Sequence, residues 1–244
     1  MLAVIGGSGL YRLKGLRTDG GEHVETRYGR TSGPVTPGKI GGRPVVFLAR
    51  HGSGHEVPAH EVNYRANVRA LAEAGATRIL AVCSVGGIGE GCVPGALVIP
   101  DQLIDYTWGR EHTYAGEEAV DMHNDFTNPY TPRWRRDVLR SMDKLGFECV
   151  THGTYAATQG PRFETAAEIR RLAADGCTIV GMTGMPEASL ARELGIDYAA
   201  ICPVGNLAAG LSRESLTMDH VVGNVAPVFE RIEDLIGALA LKAD

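Results

Sequence analysis

Seven short runs rich in Val, Ile, Leu and Ala recur along the chain, at residues 2–5, 44–49, 78–82, 96–100, 149–156, 178–181 and 198–204. Compact apolar runs of this length read as strands covered on both faces. Such strands need helices above and below them, and the longer stretches between them, at 61–74, 132–145, 165–174, 186–193 and 218–241, have helical spacing. Gly75, Gly146, Gly176 and Gly195 each follow one of these stretches, where a helix C-terminus favours glycine. In the last stretch Val221, Val225, Val228, Ile232, Leu235 and Leu239 fall at three- and four-residue steps and form one apolar face. The class that follows is α/β, with a mixed, largely parallel central sheet flanked by helices. No repeat, linker or low-complexity tract interrupts the chain, so one domain over 1–244 is expected. The exception to the regular pattern is 107–132, rich in His, Asn, Asp and Tyr and without periodicity. Loops of that length carry function or pack on a partner.

Composition narrows the function classes. Apolar residues make up 44% of the 244, enough for a sizeable core. No apolar run is long enough to cross a membrane, and nothing in the first ten residues resembles a secretory signal. A net charge of -5, with acids and bases interspersed, argues against a nucleic-acid-binding face. Five cysteines, an odd number with no CxxC pair, exclude a disulfide framework and a zinc ribbon and favour a reducing cytoplasm.

Three strand ends carry donors suited to an oxyanion and no carboxylate. The first strand runs into Gly6-Gly7-Ser8-Gly9, where glycines let backbone N–H groups approach an anion and Ser8 adds a hydroxyl. It is neither a dinucleotide fingerprint nor a P-loop, and taken alone it also reads as a tight turn. The strand at 44–49 delivers Arg50 and His51, a rigid fork and a neighbouring donor. The strand at 78–82 delivers Ser84 in Cys83-Ser84-Val85-Gly86-Gly87. Together they point to an anion site, most simply phosphate. There is no Gly-x-Ser-x-Gly elbow and no HExxH. His51 and His55 are spaced i, i+4, but Gly52 and Gly54 lie between them, which is poor helix for a metal pair; no metal is expected. A site without a protein nucleophile makes sense if phosphate is itself the nucleophile.

Two further segments each end a strand and open a helix. In 158–164 Phe163 is suited to stack on a flat ligand and Glu164 to accept an N–H from it; Glu164 also suits the first turn of a helix on charge alone. In 181–187 Met182 offers a soft apolar surface and Thr183 a hydroxyl; Met182 fits ordinary core packing equally.

The segments Gly6-Gly7-Ser8-Gly9-Leu10, Arg50-His51-Gly52, 62–67, 160–165 and 181–187 occur in the order seen in trimeric purine nucleoside phosphorylases, and the chain resembles that family along essentially its whole length. The branch it is similar to is that of the 5′-methylthioadenosine and S-methyl-5′-thioinosine phosphorylases. The resemblance implies a homotrimer without metal or cofactor, in which purine (thio)nucleoside and phosphate give free purine and (thio)pentose 1-phosphate. Carried over by position, Ser8, Arg50, His51, Ser84 and Thr183 hold phosphate, Met182 lies under the sugar and Phe163 near the base. His123, in the irregular loop, is lent to the neighbouring subunit's 5′ pocket. Adenine-specific relatives place two Asp at and just after the strand 198–204; this chain has Asn206 and Ala208 there. The pair Asn206 and Glu164 is the one carried by 6-oxopurine-specific relatives, and Asn206 joins Arg50 and His51 as the expected catalytic set. Met218 and Val222, one turn apart, stand where ordinary relatives put a polar group for the 5′-hydroxyl, and form an apolar wall suited to a methylthio group. The expected reaction is therefore S-methyl-5′-thioinosine and phosphate to hypoxanthine and 5-methylthioribose 1-phosphate. The alternatives are inosine/guanosine or 5′-methylthioadenosine phosphorolysis and, from another class, a nucleoside-binding protein without catalysis.

Overall fold

The apolar runs pair side by side as central strands. In this computed structural model, which describes residues 1–213 and 217–242, the strands in chain order are β1 (Leu2–Gly6), β2 (Glu25–Thr26), β3 (Gly29–Arg30), β4 (Val35–Ile40), β5 (Arg43–Ala49), β6 (Arg78–Val82), β7 (Val85–Gly87), β8 (Leu97–Val98), β9 (Gln102–Asp105), β10 (Thr154–Ala157), β11 (Ile179–Gly181) and β12 (Asp197–Leu207). Ten of them form one sheet in the order β4-β5-β1-β6-β12-β7-β11-β10-β9, with β8 beside β12. The pairs β5–β1, β1–β6, β6–β12, β12–β7, β11–β10 and β10–β9 are parallel; β4–β5, β7–β11 and β12–β8 are antiparallel. The sheet is mixed and largely parallel, as the pattern of buried runs required.

Alternation along the strands sends successive residues to opposite faces. Ala3, Ile5, Ile79 and Ala81 join one core cluster, with Val68 and Leu71 of α1 (Tyr64–Glu73) and Ala188 and Leu190 of α4 (Glu187–Glu193). Leu2, Val4 and Leu80 join the other, with Trp134 and Val138 of α2 (Pro132–Lys144) and Ile232 and Leu235 of α6 (Phe229–Leu241). α3 (Ala166–Ala174) packs Ile169 and Leu172 against Ala156 and Val180 in a third, smaller cluster.

Four departures from the sequence expectation have local reasons. The expected helix over 218–241 is two helices, α5 (Met218–Val225) and α6, joined by a 3-10 turn at Ala226–Val228; Pro227 lacks an N–H and its ring clashes with a continuing helix. β4 is an unexpected edge strand, antiparallel to β5; Pro37 and Gly38 hide it in the sequence, and an edge tolerates proline. The run at 149–156 becomes a strand only from Thr154. β12 extends three residues past its expected end, through a register shift between Val204 and Asn206 against β7. Gly205 is the extra residue of that bulge, and a Cβ there would lie 2.7 Å from Val221 Cγ1. A bulge bends a strand and re-aims the side chain beyond it; here that side chain is Asn206.

Candidate active site

β1, β5, β6 and β12 run parallel and neighbour one another in the sheet, so their C-terminal ends share an edge, where ligands of open α/β sheets collect. A cavity of about 290 Å³ opens there. It brings together Ser8, Arg50, His51, Ser84, Phe163, Glu164, Met182, Thr183, Asn206 and Met218, ten of the twelve residues singled out in the sequence.

At the polar end the loop after β1 lies hard against the end of β6. A Cβ on Gly7 would stand 2.4 Å from the Val82 carbonyl oxygen and 3.1 Å from Arg50 Nη1, so only glycine fits this approach. Ser84 Oγ donates to the Ser8 carbonyl at 3.1 Å and ties the loops after β1 and β6 together. Thr183 is buried after β11, and its backbone N–H donates to Tyr155 Oη at 3.3 Å.

Arg50 is wholly buried, and its fork is not aimed at the cavity as expected. Nε donates to Glu187 Oε2 at 2.7 Å and Nη2 to Glu187 Oε1 at 2.9 Å; Nη1 donates to the Val82 carbonyl at 3.0 Å and Nη2 to Cys83 Sγ at 3.5 Å. Tyr198 Oη completes the network with a 2.8 Å bond to Glu187 Oε1. Burial by itself works against the charge on Arg50, and Glu187 more than offsets it, so the guanidinium stays protonated. Of its five N–H groups, one on Nη1 is left for a ligand. Glu187 ends the 181–187 segment, and no residue-type signal there shows that its carboxylate turns inward to Arg50.

His51 differs from expectation in polarity. Its Nδ1 lies 2.9 Å from the Val57 carbonyl oxygen; a carbonyl only accepts, so Nδ1 carries the proton. Burial and the Arg50 charge lower its pKa to about 3, so the ring is neutral and Nε2 is an acceptor, not the donor first expected. His55 stacks on it at 4.4 Å between centroids and meets Tyr11 Oη at 3.2 Å through Nδ1. Among the described residues no group of three or more His, Cys, Asp or Glu is placed to hold a metal.

Asn206 also lines the cavity; its Nδ2 donates to the Leu207 carbonyl at 2.8 Å, leaving one amide hydrogen and Oδ1. Thr158 Oγ1 donates to Glu164 Oε1 at 2.7 Å. Val180 and Ala208 supply apolar surface beside them. From α5, Met218 and Val221 add apolar wall. This corrects the expectation for Val222: the cavity-facing residue lies three, not four, positions after Met218.

His123 is exposed and does not line its own chain's cavity; its backbone N–H donates to Asp121 Oδ1 at 3.0 Å. The irregular loop that carries it is anchored by buried Arg110, which sequence reasoning missed. Arg110 Nη1 donates to the Met182 carbonyl at 2.9 Å and Nη2 to that of Gln159 at 2.9 Å, so one side chain spans both motif segments. A lone arginine in a polar loop carries no sequence signal of that role.

The model of the phosphorylase superfamily matches residues 1–240. A Xanthomonas campestris pv. campestris protein named probable S-methyl-5′-thioinosine phosphorylase is 50% identical over 241 residues, covering 98% of this chain and 96% of its own. The 6-oxopurine nucleoside phosphorylase of Pyrococcus furiosus is 45% identical over 241 residues, covering 96% of this chain and 90% of its own. The methylthioadenosine phosphorylase of Schistosoma mansoni, solved with adenine, superposes with a TM-score of 0.93 at 33% identity, over 98% of this chain and 90% of that one. With a family match and relatives aligned along almost its whole length, the chain belongs to the phosphorylase superfamily.

Proposed function

We propose that the protein cleaves a 6-oxopurine thionucleoside with phosphate, S-methyl-5′-thioinosine giving hypoxanthine and 5-methylthioribose 1-phosphate. The observation that carries this reading is the set of groups one cavity brings together: the hydroxyls of Ser8, Ser84 and Thr183 with Arg50 and His51, the pair Glu164 and Asn206, and the apolar Met218 and Val221. Phosphate is the co-substrate, met by Ser8, Ser84, Thr183 and the remaining Nη1 hydrogen of Arg50. The Nε2 lone pair of His51 accepts from a protonated phosphate oxygen. Phosphate held against C1′ stabilises the oxocarbenium-like sugar and then captures it. Phe163 stacks on the purine, Met182 lies under the sugar, and Asn206 donates to the departing ring while Glu164 accepts from N1–H. No further cofactor enters this scheme. The active form is a homotrimer in which His123 reaches the neighbouring subunit's 5′ pocket, and five free cysteines fit a reducing cytoplasm. The names carried by the relatives support the thionucleoside reading, and the Pyrococcus name supports a second one, inosine and guanosine as substrates.

One panel tests these readings: turnover of methylthioinosine, methylthioadenosine, inosine and guanosine, with and without phosphate. Methylthioinosine is expected to have the highest kcat/KM. A site that pairs with a substrate N–H rejects the analogue lacking it by about four orders of magnitude, so methylthioadenosine should be turned over poorly. Preference for methylthioadenosine overturns the roles of Asn206 and Glu164; equal use of inosine overturns the 5′ assignment; absence of phosphate-dependent base release leaves only the binding-protein alternative.

A further inference from the structure

We propose that Thr158 is the positioning residue that sets the purine selectivity of this cavity, by holding the Glu164 carboxylate from behind. This rests on the reading that Glu164 meets the purine N1–H. Thr158 directly follows β10, and its backbone N–H donates to the Gly181 carbonyl at 2.8 Å, so its Cα is fixed to the end of β11. Its hydroxyl has one hydrogen. Glu164 Oε1 lies 2.7 Å from Oγ1, against 3.3 Å for the Gly181 carbonyl oxygen, and the shorter contact has the geometry of a charge-assisted O–H···O⁻ bond. Glu164 makes no other side-chain hydrogen bond among the described residues, so Thr158 is the single fixed point of its carboxylate there. The nearest cation in sequence, Arg162, does not compete: both its Nη atoms are forked onto Glu168 at 2.8 Å.

Glu164 stands in the wall between two cavities. The second, of about 370 Å³, is lined by Thr158, Trp108 and Tyr106 as well as Glu164, and Thr158 does not line the first. The threonine therefore acts through Glu164 and touches no substrate. A glutamate has three side-chain torsions, and without the hydroxyl its carboxylate is free to turn into either space. With Oε1 accepting from Thr158, Oε2 is left to accept from the base. Only a 6-oxopurine offers N1–H to it, so loosening Glu164 weakens the 6-oxopurine and leaves the 6-amino compound indifferent.

The test is the kcat/KM ratio of methylthioinosine to methylthioadenosine, with KM for phosphate, in the parent and in Thr158→Val, Thr158→Ser and Glu164→Gln. Valine keeps the β-branched shape and deletes the hydroxyl. Loss of a charge-assisted bond predicts a fall in the ratio of about 10- to 100-fold in Thr158→Val, carried by methylthioinosine, with the phosphate KM unmoved. Thr158→Ser should restore the ratio. Equal losses on both substrates, an unchanged ratio, or no rescue by serine overturn the proposal; should valine not fold, failure of the folded serine variant to keep the parental ratio does so. If the parent shows no 6-oxopurine preference, the underlying reading falls and the proposal with it. If the parent prefers the 6-oxopurine and Glu164→Gln abolishes that while Thr158→Val does not, only the role of Thr158 is wrong.

Discussion

Beneath the polar end of the cavity a positive charge is buried together with its counter-charge. Arg50 and Glu187 are both fully buried and meet through two bonds of 2.7 and 2.9 Å. Removing one member of such a pair leaves the other uncompensated and costs about 3–5 kcal/mol, a large share of a typical domain's stability of about 5–15 kcal/mol. An arginine aimed only at phosphate would be removable with the fold intact, which is what the sequence alone leads one to expect of Arg50→Ala. The structure reverses that expectation. Arg50→Ala should lower the urea unfolding midpoint markedly. Combining it with Glu187→Leu, which removes the stranded charge, should recover part of the stability without restoring phosphate-dependent turnover. Parental stability in Arg50→Ala alone would show that the pair is not buried as described.

At the scale of elements, β12 and α5 form the cavity together. The bulge at Gly205 puts Asn206 opposite Gly86 of β7, and α5 packs Val221 against Gly205. The turn forced by Pro227 ends α5, so the helix that lines the cavity is separate from the one that covers the sheet. Val221→Ala deletes two methyl groups from the apolar wall, worth about 0.8 kcal/mol each if a substrate methylthio group covers them. The expected result is a fall of roughly tenfold in kcat/KM for methylthioinosine relative to inosine, whereas Val222→Ala should leave that ratio alone. The opposite pattern would restore Val222 to the wall and rotate the assigned face of α5.

At the scale of the whole molecule, the described chain leaves large apolar side chains uncovered near its site. Trp108 is 72% exposed and Met122 70%, both on the irregular loop that also carries His123, and Met218 at the cavity wall is 43% exposed. The proposed homotrimer would cover that surface and give the long loop a partner to pack on. Dilution below the dissociation range should therefore lower specific activity in step with loss of the trimer in sedimentation, and His123→Ala should raise KM for the thionucleoside more than for phosphate. A monomer with full activity would remove His123 from the site.

Buried parallel strands announce themselves locally, because a strand covered on both faces must be apolar throughout. β1, β5 and β6 were legible for that reason, and so were the glycine, hydroxyl and arginine residues at their ends. The segments 158–164 and 181–187, which put Phe163, Glu164, Met182 and Thr183 into the cavity wall, were legible because Phe, Glu and Met at strand ends are out of place in plain turns. What the sequence left open depends on partners distant in the chain. Glu187 lies 137 residues from the arginine it neutralises, and the direction of Arg50's fork follows from that pairing. The proton on His51 is placed by a carbonyl at Val57 that carries no residue-type signal. Asn206 faces its pocket through a bulge whose register exists only against β7, and the choice of Val221 over Val222 is a rotation of α5 set by its packing on Gly205. Residue types and their order along the chain determined the family and the parallel strands whose ends line one cavity; which atoms donate, accept or stay committed to each other was decided by burial and by contacts that only the folded sheet creates.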